Sequence, residues 1–283
     1  MAVRVRNIVP DFVKFFAAAA GKSPAEKRQV WRERYQEPNR DLFDVYYRKW
    51  GDPQYLDDAL AKFPAVFGQI CSLDVGRSTD HAVAGCRRLF RSPEPELDYV
   101  AMVGLFCSNG WATVVNGVPT AFFALELLPA QSHLDVLVAH ETAHAVHHQL
   151  QAKEWSAKSV AIGLLEEGLA SFSSSLLCPG LTPHDYFWFG FPRFPDWVEQ
   201  CEAEWPAIRA GLLEALDEAK PGTYQAFFTG GAGGGLPARC GYYAGYRIVA
   251  DLYQNHSLAE MARWSEGEAT VAVQGTLWRM EGT

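Results

Sequence analysis

The pattern of apolar residues along this chain of 283 residues predicts an α+β fold, predominantly helical, with a small mixed sheet between two helical stretches. Three observations carry that expectation. Aromatic and aliphatic residues recur at three- and four-residue spacing through residues 1–95. Three short runs rich in β-branched and aromatic residues follow between 98 and 128. Helical spacing then returns at residue 132.

In chain order, Phe12, Phe15 and Phe16 share one face of a first amphipathic helix, and Trp31 and Tyr35 lie one turn apart. The stretch 41–50 continues the pattern, Gly51-Asp52-Pro53 interrupts it, and residues 56–70 start another helix. Residues 87–96, with two prolines, read as a connector. Residues 1–95 are therefore expected to form a helical subdomain packed on the remainder, 96–283, or one continuous domain with it. A prosegment or lid is the rival reading of the same apolar faces.

Residues 99–107, 111–115 and 120–125 are the expected strands, and Asn116-Gly117 between the last two is a type I′ hairpin signal. The strand of residues 119–126 leads directly into the next helix and is the candidate to pair with an extended ligand backbone. Glu126 ends it and reads first as a solvated strand end, with a hold on a ligand amine as the rival.

The formal net charge of −8, without a basic stripe, argues against a nucleic-acid partner. At the N-terminus Pro10, Asp11 and Lys14 interrupt what would be a signal peptide's apolar core, so residues 1–20 are expected in the mature protein. No apolar run of about twenty residues marks a membrane span. The cysteines (Cys71, Cys86, Cys107, Cys178, Cys201 and Cys240) include no CxxC pair. Free thiols and a cytoplasmic location are the expectation.

Chemistry concentrates in Val136-Leu-Val-Ala-His140-Glu141-Thr142-Ala143-His144. His140 and His144 are one helical turn apart, so both imidazoles leave the same face and can share one metal ion. Glu141 sits at the edge of that face, within reach of a metal's water without ligating the metal. No Pro or Gly interrupts the approach, and Gln131-Ser132 offers an N-cap. A buried helix holding two satisfied histidines is the bland alternative. His147 and His148 lie off the ligand direction and are expected at the periphery or surface.

A catalytic zinc takes three protein ligands. The segment Gly163-Leu-Leu-Glu166-Glu167-Gly168-Leu169-Ala170-Ser171-Phe172 offers the third, since Glu167 follows His144 by 23 positions, room for a turn and a second helix. Leu164, Leu165, Leu169, Ala170 and Phe172 would bury that helix.

Together, HExxH and a Leu-Xaa-Glu-Gly-Xaa-Ala segment resemble the gluzincin metallopeptidases, thermolysin-like and related to zinc aminopeptidases. The resemblance is closest to bacterial families known as predicted Zn-dependent proteases. It implies a zincin-like catalytic domain over 96–283, one Zn²⁺ held by His140, His144 and Glu167, and Glu141 as general base. Glu167, not Glu166, matches the ligand position because it immediately precedes the Gly. Val103-Gly-Leu-Phe and Gly241-Tyr-Tyr-Ala-Gly-Tyr246 extend the resemblance. It implies a Tyr beside the zinc, with Tyr242 first and Tyr243 or Tyr246 in reserve. Ser171 stands where thermolysin has an Asp that orients a zinc histidine, so here a neutral partner would replace a charged one.

The aromatic cluster of 186–197 reads as core or packed loop, with a hydrophobic substrate pocket as the rival. The glycine-rich stretch of 229–235 lacks phosphate-loop context and reads as a mobile loop over the cleft. The tail from Thr270 is left without an assignment. The expected function is zinc-dependent hydrolysis of a peptide bond in a peptide or protein substrate. Two rivals share the motif: a zinc-binding protein without protease activity, and a zinc hydrolase of another amide or ester.

Overall fold

A computed structural model of the chain describes residues 3–151, 159–191, 194–229 and 235–280. Its elements run β1 (Arg4–Asn7), α1 (Val9–Ala19), α2 (Pro24–Trp31), α3 (Arg40–Tyr46), α4 (Leu56–Ser72), α5 (Val75–Phe90), β2 (Asp98–Met102), β3 (Gly110–Val115) and β4 (Val118–Ala124). There follow α6 (Gln131–Leu150), α7 (Val160–Leu177), α8 (Pro183–Trp188), α9 (Trp197–Ala203), α10 (Trp205–Ala215), α11 (Pro221–Phe228), α12 (Cys240–Leu252), α13 (Leu258–Met261) and α14 (Glu266–Arg279). The fold is predominantly helical with one small mixed sheet.

By compactness the chain divides into two units: Met1–His81 with Glu96–Val138, and Ala82–Pro95 with Ala139–Thr283. This differs from a cut after residue 95. The reason is β1, which pairs in parallel with β2 and so ties the N-terminus to the sheet. Residues 4–7 carry no apolar face and are exposed throughout, so periodicity could not mark them. A two-pronged contact from Arg4 to Asp98, at 3.1 and 2.6 Å, fastens the pair from outside.

The sheet order is β1-β2-β4-β3, with β2 parallel to β4 and β3 antiparallel to it. Three strands form between 98 and 128, but the first ends at Met102, five residues short of its expected end, because side chains take the amides of residues 103–106. Asn116 and Gly117 both take positive φ (52° and 81°), as the hairpin signal requires. One expectation is corrected. The strand of residues 119–126 is internal, hydrogen-bonded to β2 on one side and β3 on the other, so it has no edge for a ligand backbone. Its near-continuous burial is that of a central strand. The free edges belong to β1 and β3.

Glu126 is corrected too. It is buried, and its carboxylate accepts hydrogen bonds from the Gly104 and Phe106 amides at 2.8 and 3.1 Å. Tyr35 and Tyr46 capture the amides of Val103 and Leu105 between them. Four consecutive N–H groups are thus satisfied by three buried side chains, as the loss of solvent demands. A Cβ at Gly104 would fall 2.8 Å from the Tyr46 hydroxyl and 2.9 Å from Glu126, which explains the glycine. Around them Phe12, Phe15, Trp31, Phe43 and Phe63 are fully buried and meet largely edge to face.

The second unit is built on α7 and α12. Ser159 caps α7 by accepting from the Ile162 amide, and nearly every side chain of that helix is buried. The helices touch through glycines. A Cβ at Gly168 would collide with the Gly245 carbonyl oxygen, and one at Gly245 would lie 2.5 Å from the Leu164 carbonyl oxygen. Alone among the described helices, α7 is long and apolar enough to cross a membrane, and 83% of the window that passes this test is buried inside the protein, as in a core helix. The tail left unassigned by the sequence is α14, opened by a Ser265–Glu268 capping box.

Candidate metal centre

Helix α6 carries the HExxH motif without a break. Its start is not capped by Gln131-Ser132 as expected. Gln131 is already helical, and its amide instead bonds Asp74, Ser78 and Asp135. In the second unit, one turn brings His140 Nε2 and His144 Nε2 to 3.1 Å from each other. From α7, Glu167 places Oε2 at 3.3 Å from both nitrogens.

The three atoms form a nearly equilateral triangle. A tetrahedral metal with bonds of about 2.0–2.1 Å separates its ligand atoms by about 3.3–3.4 Å. The observed spacings therefore leave one metal-sized position equidistant from two imidazoles and a carboxylate. Glu167 Oε2 is buried and makes no well-formed hydrogen bond, an orphaned anion that a cation would satisfy. The donor set fits zinc.

The electrostatics agree. Burial works to raise the Glu167 carboxyl, but His144 and His140 overcome it and hold it far below the usual carboxylate range. Burial works against charge on His144, yet Glu167, helped by Glu141 and Glu166, lifts it to about 9. The site is thus poised around a positive charge.

Glu141 is half-buried beside the triad, and its charge acts on both His144 and Tyr242. Glu166, the neighbouring carboxylate, is buried but outside the triad. His147 is buried, pushed down to about 3 by burial and by His148 and His144, and His148 is exposed. Neither joins the triad. The contact expected from Ser171 is not made: among the described residues, Ser171 Oγ and His140 Nδ1 are both buried without a hydrogen-bond partner.

The three tyrosines of α12 separate cleanly. Tyr242 lies nearly parallel to the His140 ring with 6.3 Å between centroids. Tyr243 packs on Trp197 and Trp205, and Tyr246 on Phe172 and Phe187, both away from the triad. Burial, then Glu167, pushes the Tyr242 phenol well up, while Arg239 pulls it down.

Three further residues stand here, of which only Phe189 falls in a stretch the sequence marked, the aromatic cluster of 186–197. Phe189 ends α8 in a left-handed conformation and meets the His140 ring edge-on at 5.4 Å. Tyr224 on α11 occupies the space a Cβ at Gly163 would fill, one turn before Glu167. Its phenol is raised by burial and by the charge of Glu167. Arg239, also left-handed at φ 60°, precedes α12 and lies over the Tyr242 ring at 4.1 Å. For Tyr224 the aromatic pair with Phe228 at four-residue spacing was a visible signal. For Phe189 it was the aromatic cluster itself, and the left-handed Arg239 leaves none. The glycine-rich loop reading falls largely on residues 230–234, outside the described residues.

No curated protein and no solved structure matches the chain. Residues 120–271, which contain the whole triad, match the model of a family described as predicted Zn-dependent protease (DUF2268). Since that match spans more than half of its length, the chain belongs to this family.

Proposed function

We propose that the protein is a zinc metallopeptidase of the gluzincin type, with a thermolysin-like zincin core, hydrolysing peptide bonds in a peptide or protein substrate. The convergence of His140, His144 and Glu167 at 3.1–3.3 Å is the observation that carries this reading. The family's description supports the protease half of it. A single zinc per chain, when bound, supplies a Lewis acid that polarises the scissile carbonyl and acidifies a water molecule.

The remaining work falls to this chain's side chains. Glu141 adjoins the triad with no ion pair or hydrogen bond to a described residue, so its carboxylate is available to take the proton of the attacking water. The same carboxyl then delivers that proton to the leaving amine. Tyr242, whose phenol stays protonated in its buried setting, donates a hydrogen bond to the oxygen that gains charge in the tetrahedral state. Phe189 limits water on the open side of His140.

Elemental analysis of purified wild type and Glu167→Ala tests the proposal. One zinc per wild-type chain and a marked loss in the variant are expected. A wild type that neither carries nor takes up zinc ends it. Zinc without hydrolysis across a peptide library would leave a metal-binding protein, and hydrolysis confined to other amides or esters would change the substrate class.

A further inference from the structure

Beside Tyr242 stands a cation, Arg239. The Arg239 guanidinium is sandwiched between two aromatic faces, with Trp188 at 4.6 Å and Tyr242 at 4.1 Å from its central carbon. Among the described residues no carboxylate pairs with it, whereas Arg4, Arg6, Arg28 and Arg279 all hold aspartates. The ring contacts hold the group in place, one donor is shared with the Tyr242 hydroxyl, and the remaining N–H groups match a carboxylate. Its backbone is held in the left-handed region, with its amide donating to the Thr229 carbonyl. Such a conformation in a non-glycine residue persists where surroundings enforce it, often at ligand sites.

Position turns this into a specificity argument. The Arg239–Tyr242 and Tyr242–His140 contacts, at 4.1 and 6.3 Å, keep the guanidinium within about 10 Å of the His140 ring. An extended peptide advances about 3.3–3.6 Å per residue, so that span covers two to three residues. The wall of the centre otherwise offers negative charge, from Glu141, Glu166 and Glu167, on a chain of net charge −8. Against that wall Arg239 offers a substrate carboxylate a cationic partner away from the metal position.

We infer that Arg239 binds a carboxylate of the peptide substrate, two or three residues along the chain from the bond at the metal centre. This rests on the peptidase reading above and adds the substrate class to it. The carboxylate is either the substrate's C-terminus or an Asp or Glu side chain.

Binding, measured without turnover, tests the inference. Zinc-treated Glu141→Gln protein is titrated by calorimetry with Ala-Phe-Ala-Phe as the free acid, the same peptide as C-terminal amide, and Ala-Phe-Ala-Asp amide. The free acid is expected to bind on the order of ten- to a hundredfold more tightly than its amide, the worth of one charge-assisted contact. Recovery of affinity in the Asp amide assigns the site to side-chain carboxylates as well, and no recovery restricts it to the C-terminus. In Arg239→Met the acid-to-amide ratio should fall towards one, and Arg239→Lys should restore part of it. Equal binding of all three peptides to the Glu141→Gln protein, binding of none, or unchanged discrimination when Arg239→Met is added overturns the inference. So does an equal loss for both peptides, which would leave Arg239 serving Tyr242 alone. A protein that hydrolyses nothing yet discriminates acid from amide would sink the peptidase reading and keep Arg239. Hydrolysis without discrimination would do the reverse.

Discussion

Two adjacent carboxylates on α7 have different fates. Glu167 points its oxygen between two imidazoles, while Glu166 is buried outside the triad. Glu167→Gln should therefore weaken zinc binding by about a hundredfold or more, and Glu166→Gln should keep its full zinc content, as metal-competition titration would show. At α6, Glu141→Gln should lower kcat by roughly three orders of magnitude with zinc retained, because only proton transfer is lost. Tyr242→Phe, which removes one donor to the oxyanion, should lower kcat about a hundredfold with little change in KM. Tyr246→Phe serves as control. Its hydroxyl meets Ser175 instead of the triad, so activity should stay near wild type.

Where the helices meet, the decisive contact is between glycines. Glu167 and the Gly168 that follows do separate jobs: the first faces the imidazoles, the second lets α12 approach to backbone contact. That approach delivers Tyr242 to His140. Gly168→Ala or Gly245→Ala should destabilise by about 2–3 kcal/mol or more in denaturant titration, since backbone cannot yield as a flexible side chain would. The loop after β2 carries a pH signature. Burial lifts Glu126 to about 7, against an ordinary 4.5, although the amides of Gly104 and Phe106 oppose it. A carboxyl whose folded pKa is raised contributes stability fully below pH 4.5 and loses it as pH rises through 7. The stability difference between wild type and Glu126→Ala should therefore shrink by about 3 kcal/mol from pH 4.5 to 8. A difference that is flat or grows with pH would contradict this.

For the molecule as a whole, the proposed zinc would act as a stabilising ligand. Zinc at a thousandfold excess over its dissociation constant adds about 4 kcal/mol to a state that alone assembles the triad. Chelation should lower the melting temperature by several degrees, and Glu167→Ala should melt at one temperature with or without zinc. Much of this was legible in the chain. His140 and His144 meet because four residues make one turn, and Asn116-Gly117 turns the hairpin because its backbone needs positive φ. Spacing and local conformation suffice for such features. Glu167 was legible through its Gly neighbour, although the reason for that Gly lies 77 residues away in Gly245.

What local pattern could not carry is which surfaces meet. Residues 4–7 become a strand because β2 offers hydrogen bonds, and the strand ending at Glu126 is internal because β1 and β3 lie outside it. Glu126 looked like a solvated strand end or a ligand for an amine until the amides of residues 104 and 106 were found on it. Arg239 acquires its place from two rings, one 51 residues earlier and one three residues later, and from a backbone angle that no side-chain pattern encodes. The sequence by itself determined the motif, its helix and the candidate ligand set, because these depend on neighbours a few residues apart. The tertiary structure alone decided which tyrosine faces the histidines, which strand is central and which arginine lies against that tyrosine, because each depends on contacts between segments far apart in the chain.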